Sequence, residues 1–163
     1  MTARIGVLFV CLGNICRSPL AKFVFADLVT RRRVADRFAI DSCGTGAWHA
    51  GEGADPRTEA VARKYGLDVA HRARQLRPHV DFDHFHYLIG MDLDNHRRLL
   101  ETGAPSDRVF LLRSFDPELA GRPHHEIIVP DPYYGGEDGF EKMYHMVRAG
   151  CEGLLEHALA RHG

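Results

Sequence analysis

The sequence predicts an α/β fold, a three-layer open sandwich in which a four-stranded parallel sheet carries helices on both faces. Two observations lead there. Four short runs are apolar and rich in β-forming residues, and the stretches between them show helical periodicity with start and stop residues of their own. Strands that alternate with helices imply right-handed βαβ units around a parallel sheet, with binding loops beyond the carboxyl ends of the strands. At 163 residues, without an internal repeat or a Ser/Gly-rich linker, residues 1–163 read as one domain. A composition of 45% hydrophobic and 26% charged residues sets disorder aside.

The first run, Ile5 to Val10, is almost wholly apolar, as a strand buried on both faces requires. Ser18-Pro19 then opens a helix over Leu20 to Thr30, and Arg31 to Arg33 form its solvated end. Phe38 to Cys43 is the second strand. Asp55-Pro56 starts a helix that stops at Gly66, and Tyr87 to Met91 is the third strand. A helix from Asp92 to Thr102 stops at Gly103, with Asp92 in the position of an N-cap. Val109 to Leu112 is the fourth strand, and the last helix runs from about Glu137 to Ala160.

Several function classes are excluded. A net charge of -1 provides no field for nucleic acid or an anionic membrane. Ile5 to Val10 is too short to span a bilayer, and no secretion signal is visible. The four cysteines, at 11, 16, 43 and 151, contain no C-x-x-C pair and read as free thiols in a reducing compartment. A cytoplasmic location is expected, with export lacking a visible signal left open. The 11 histidines, His124-His125 among them, show no H-E-x-x-H spacing, so no metal is expected. Neither a G-x-x-x-x-G-K-[ST] nor a G-x-G-x-x-G motif is present, and no cofactor is expected.

Chemistry concentrates in Cys11-Leu12-Gly13-Asn14-Ile15-Cys16-Arg17-Ser18-Pro19. A strand, a tight loop and a helix start aim successive backbone N–H groups into one concavity, where the helix dipole adds positive potential. An anion belongs in that cup. Gly13 and Asn14 are residue types that tolerate left-handed backbone, and Cys11 stands at the rim, where the N–H groups and Arg17 favour its thiolate. Arg17 can hold two phosphate oxygens in its planar fork, and Ser18 can donate to the thiolate. A Cys-x5-Arg spacing alone is a weak signal. Cys11 could instead be a small core residue closing a strand, and Arg17 a surface residue of a first helical turn. Their placement between a buried strand and a helix favours the chemical reading. Pro130-Asp131-Pro132-Tyr133-Tyr134-Gly135-Gly136 is a loop by composition, either a plain turn or a platform that carries Asp131 as a proton donor.

The stretch from Val7 to Pro19 resembles the signature of the low-molecular-weight protein tyrosine phosphatases. The likeness continues through Ser42 to Gly46, Trp48-His49, Asp55 to Arg57, His71 to Arg74, Met91-Asp92 with Asn95, and Asp131 to Gly136, and so covers essentially the whole chain. It implies strand order 2-1-3-4, Cys11 as a nucleophile that forms phosphocysteine, Arg17 as phosphate clamp and Asp131 as general acid, then general base. Leu12, Gly13, Asn14, Ile15, Cys16 and Ser18 would complete the phosphate loop. Trp48, His49, Tyr133 and Tyr134 would wall a slot deep enough to prefer phosphotyrosine over phosphoserine. Asn14 would brace the loop with Ser18, Ser42 and His71, although His71 also reads as an ordinary core or capping group.

The resemblance further implies phosphotyrosine-bearing proteins or small aryl phosphates as substrates, and a monomer or weak homodimer. Because Asp131 must start protonated and Cys11 ionised, a bell-shaped pH profile with a mildly acidic optimum is expected. Lys22 stands where the family usually has Glu, which suggests a more positive mouth, and Cys43 stands where Ala is common. Cys16 could form a protective disulfide with Cys11, as in part of the family, or be a small buried residue. Three rival classes are weaker, and one of them, a structural or interaction protein, would leave the coincidence of nucleophile, clamp and acid unexplained. An arsenate reductase needs resolving cysteines that the stretch from Arg72 to Asp107 lacks, and a phosphotyrosine-binding module would not need Cys11, Arg17 and Asp131 together.

Overall fold

The computed structural model describes residues 4–133 and 136–162. Its main elements are β1 (Ile5–Cys11), α1 (Arg17–Arg31), β2 (Phe38–Gly44), α2 (Pro56–Lys64), α3 (Pro78–His84), β3 (Tyr87–Gly90), α4 (Leu93–Glu101), β4 (Val109–Leu111) and α5 (Glu137–His162). All strand pairs are parallel and the sheet order is β2-β1-β3-β4, as expected.

Every residue of β1 is buried, because alternate side chains feed two cores. Val7 and Phe9 pack with Leu20 and Val24 of α1 and with Val147 and Leu154 of α5. Leu8 and Val10 point the other way, toward Phe82 of α3 and Leu99 of α4. Helices thus cover both faces, and β1 is central. On the first face α5 lies close to the turn after β4: a Cβ on Gly153 would sit 1.8 Å from the Phe115 carbonyl oxygen, so only glycine fits there.

The helix signals act as their chemistry suggests. Asp55 accepts from the backbone N–H of Arg57 to cap α2, and Asp92 and Asn95 form a reciprocal capping box on α4. Gly66 and Gly103 follow these two helices with φ of +75° and +101°. Several boundaries differ from the sequence reading, the ends of β2 and β3 among them, at Gly44 and Gly90. Cys11 is itself the last residue of β1, α1 begins at Arg17, and Leu112 opens a 3₁₀ turn after β4. The short helix α3 was not expected. Among the described residues no helix is long and apolar enough to cross a membrane.

Candidate active site

The carboxyl ends of β1, β2 and β3 meet where the loop from Leu12 to Cys16 turns into α1. At its centre Asn14 is fully buried and holds φ of +58°. Gly13 was expected to share that left-handed backbone, and it does not. Its small size counts instead, since a Cβ there would approach the His49 ring to 3.2 Å. Gly44 at the end of β2 allows the same close approach from the other side, for its Cβ would lie 2.8 Å from the Leu12 carbonyl oxygen.

Asn14 organises the loop through its side-chain amide and its backbone carbonyl. Its side-chain amide donates to Ser18 Oγ at 2.9 Å and to Ser42 Oγ at 3.0 Å, and its Oδ1 accepts from the Arg74 N–H at 2.9 Å. Its backbone carbonyl meets His71 Nε2 at 2.8 Å. The segment bearing His71 and Arg74 reaches the loop because Gln75 bridges in parallel to Gly44 at the edge of β2. Ser18 Oγ in turn lies 2.9 Å from Cys11 Sγ and 3.4 Å from the Cys43 carbonyl. With Asn14 donating to it, the hydroxyl has one proton to direct, and the Cys11 sulfur is the nearer of its two other partners.

Arg17 is only 2% exposed. Its Nη1 donates to Asp92 Oδ2 at 2.6 Å and to the Val129 carbonyl at 3.0 Å, while Nη2 lies 3.6 Å from Asp131 Oδ2. Burial works against its charge, but Cys11, Asp92 and Asp131 outweigh that and hold the guanidinium protonated more firmly than an ordinary arginine. Val129 also donates its N–H to the Met91 carbonyl at 2.7 Å, which ties the approach to Asp131 onto the end of β3. Asp131 accepts from the Tyr133 N–H through Oδ1 and keeps its side chain 39% exposed.

These groups open onto one cavity of about 400 Å³, lined by Cys11, Leu12, Gly13, Ile15, Cys16, Arg17, Trp48, His49, Asp131 and Tyr133. Trp48 stands 70% exposed at the rim, and the His49 and Tyr133 rings face each other at 6.5 Å. Tyr134, expected as a fourth wall residue, lies outside the described residues. Asn14, Ser18, Ser42 and His71 do not line the cavity; they meet one another on the loop's inner side. Cys16 is a free, buried thiol pushed up to about 12 by burial and by the charges of Asp55, Cys11 and Asp131.

Two residues take parts the sequence did not assign. Asp92, read as an N-cap, caps α4 through Oδ1 and anchors Arg17 through Oδ2. Lys22, expected to add charge at the mouth, lies on the far side of the loop with Nζ 2.7 Å from His71 Nδ1. The signal for Asp92 was its place directly after a strand, where site residues of parallel sheets gather. For Lys22 the signal was its departure from the family's usual Glu, which did not say which residue it meets.

The model of the low molecular weight phosphotyrosine protein phosphatases matches residues 6–162. The chain belongs to that family. A low molecular weight protein-tyrosine-phosphatase of Streptomyces coelicolor is 48% identical over 159 residues, covering 95% of this chain and 93% of the relative. The low molecular weight phosphotyrosine protein phosphatase of Schizosaccharomyces pombe is 47% identical over 145 residues, 88% of this chain and 90% of the relative. Among solved structures, YfkJ from Bacillus subtilis superposes with a TM-score of 0.89 at 33% identity, covering 98% of both chains. Membership makes the chain a cysteine-dependent phosphatase of the low-molecular-weight class.

Proposed function

We propose that the chain hydrolyses phosphotyrosine and other aryl phosphate monoesters through a phosphocysteine on Cys11. One observation carries the reading: the Cys11 sulfur, the anchored Arg17 and the half-exposed Asp131 face a single cavity whose rim is aromatic. The names of the bacterial and fission yeast relatives support the same substrate class.

In the first half-reaction the Cys11 thiolate attacks phosphorus as the bond to the aryl oxygen breaks, and Asp131 gives its proton to the departing phenolate. The loop N–H groups and Arg17 bear the charge that spreads over the equatorial oxygens. Because Asp92 and Val129 occupy Nη1, the fork is held from behind while Nη2 points toward Asp131 and the cavity. In the second half-reaction water attacks phosphorus, Asp131 takes its proton and the phosphorus–sulfur bond breaks. The Ser18 hydroxyl, 2.9 Å from the sulfur, stabilises the thiolate that leaves. Each charge meets a group of this chain, so the proposed reaction calls for neither metal nor organic cofactor. The free cysteines suit a reducing compartment, and we place the enzyme in the cytoplasm.

The test is hydrolysis of para-nitrophenyl phosphate and phenyl phosphate, with a phosphoserine peptide as control. Cys11→Ser should abolish turnover, and the peptide should remain intact. Asp131→Ala should lower kcat about 100-fold or more for phenyl phosphate, and less for the better nitrophenolate leaving group. Equal losses on both esters would remove Asp131 from the acid role.

A further inference from the structure

Behind the phosphate loop, two contacts on one ring decide where its proton sits. His71 Nε2 lies 2.8 Å from the Asn14 carbonyl and Nδ1 lies 2.7 Å from Lys22 Nζ. A carbonyl only accepts, so Nε2 carries hydrogen; an ammonium only donates, so Nδ1 presents its lone pair. The ring is then the neutral Nε2–H tautomer. Phe23 packs edge-on against it, with centroids 6.1 Å apart, and limits reorientation. The carbonyl it holds belongs to the residue at φ of +58° whose side chain orders Ser18 beside Cys11. A displacement of His71 therefore reaches the hydroxyl that faces the sulfur.

We propose that Lys22 is a positioning residue for the phosphate loop: its ammonium, donating to Nδ1, holds His71 in the neutral tautomer and keeps the ring's hydrogen on Nε2, where it meets the Asn14 carbonyl. The surrounding charges are mixed. Asp41 of β2 and Arg74 pair at 3.2 Å beside the ring, and Asp27 and Asp68 line the same groove as Lys22. Asp41 favours protonation of His71, while burial and Lys22 oppose it more strongly and push the ring down to about 4. A carboxylate at position 22 would demand the opposite, a hydrogen on Nδ1 and hence an imidazolium. The inference rests on the phosphatase reading only for its kinetic consequences.

The test is ring ¹⁵N NMR of the histidine-labelled full chain across about pH 5 to 8, beside para-nitrophenyl phosphate kinetics. In the parent, His71 should stay neutral and protonated on Nε2 throughout. Lys22→Glu should turn it into an imidazolium at neutral pH. Lys22→Met should raise its proton affinity about tenfold or more, lower kcat/KM about tenfold and displace the acid limb of the pH profile. Lys22→Arg, which also only donates, should restore the tautomer and most of the rate. Hydrogen on Nδ1 in the parent would overturn the proposal without any variant. So would Lys22→Met with unchanged tautomer, proton affinity and pH profile. A folded parent without turnover would defeat the phosphatase reading, and the ring spectra would still decide for or against Lys22.

Discussion

Asp92 holds Arg17 from behind and caps a helix with the same carboxylate: Oδ2 lies 2.6 Å from Nη1, and Oδ1 lies 2.9 Å from the Asn95 N–H. Arg17, the proposed phosphate clamp, is thereby fixed to the first turn of α4, an element far from it in sequence. Substitution separates the two tasks. Asp92→Asn keeps a capping oxygen but withdraws the charge, and should lower kcat/KM about 100-fold with little loss of stability. Asp92→Ala removes both, adding a cost of about 1 kcal/mol for the cap. Urea unfolding beside steady-state kinetics separates the losses, and equal kinetics for Asp92→Asn and the parent would show that the anchor is dispensable.

The four thiols should differ sharply in reactivity. Cys16 is pushed up to about 12, and burial raises Cys43 and Cys151 well above the ordinary thiol range, so all three are protonated at neutral pH. Cys11 and Cys16 both line the cavity, but only Cys11 has the Ser18 hydroxyl against its sulfur, at 2.9 Å, and in the proposed reaction it is the thiolate. Iodoacetate, itself an anion, should alkylate Cys11 first, and inorganic phosphate should protect it. Peptide mapping after brief exposure checks this, and early label on Cys16 would contradict it.

Stability should fall on the acid side because of His71. Its folded value, about 4, lies below the ordinary 6.5. Above pH 6.5 neither state holds the proton, so the contribution is complete. Between 6.5 and 4 the unfolded chain takes up a proton that the folded chain refuses, and stability declines with a slope of at most about 1.4 kcal/mol per pH unit. The ring is only half-buried, and solvent weakens the effect. In urea unfolding at about pH 7 and pH 5, His71→Gln should lose about 1 kcal/mol less than the parent. The same loss in both would mean that His71 is not the group responsible.

What the sequence revealed follows from how local each cause is. β1 could be read because burial on both faces leaves no polar position from Ile5 to Val10, and α2 and α4 because Asp, Pro and Gly mark their ends in place. The helix α3 could not. Its seven residues, PHVDFDH, bury Asp81 and Phe82 alone, and Asp81 is satisfied by the Arg77 N–H and by the Arg74 guanidinium. Hydrogen bonds from the residues just before it and the packing of Phe82 into the second core, not periodicity, hold it.

The site divides in the same way. The cup was legible because Cys11 to Pro19 is one continuous segment that joins a strand to a helix. The contacts that steady it are long-range: Arg17 meets Asp92 and Val129, and Lys22 meets His71, 49 positions away. No spacing rule announces such pairs. The likeness of the whole chain to one family led to most of the candidate site residues and marked Lys22 as a departure from the usual pattern, but it put that charge at the mouth and not behind the loop. Only the coordinates show which ring nitrogen that ammonium meets.

The central claim is the covalent step on Cys11, and rapid acid quench of the enzyme during turnover of para-nitrophenyl phosphate tests it most directly. Peptide mapping should find one phosphoryl group on the peptide that carries Cys11, more of it in Asp131→Ala if loss of the base slows breakdown more than formation, and none in Cys11→Ser. Turnover with no phosphoryl group on Cys11, or with the group on another residue, would contradict the account.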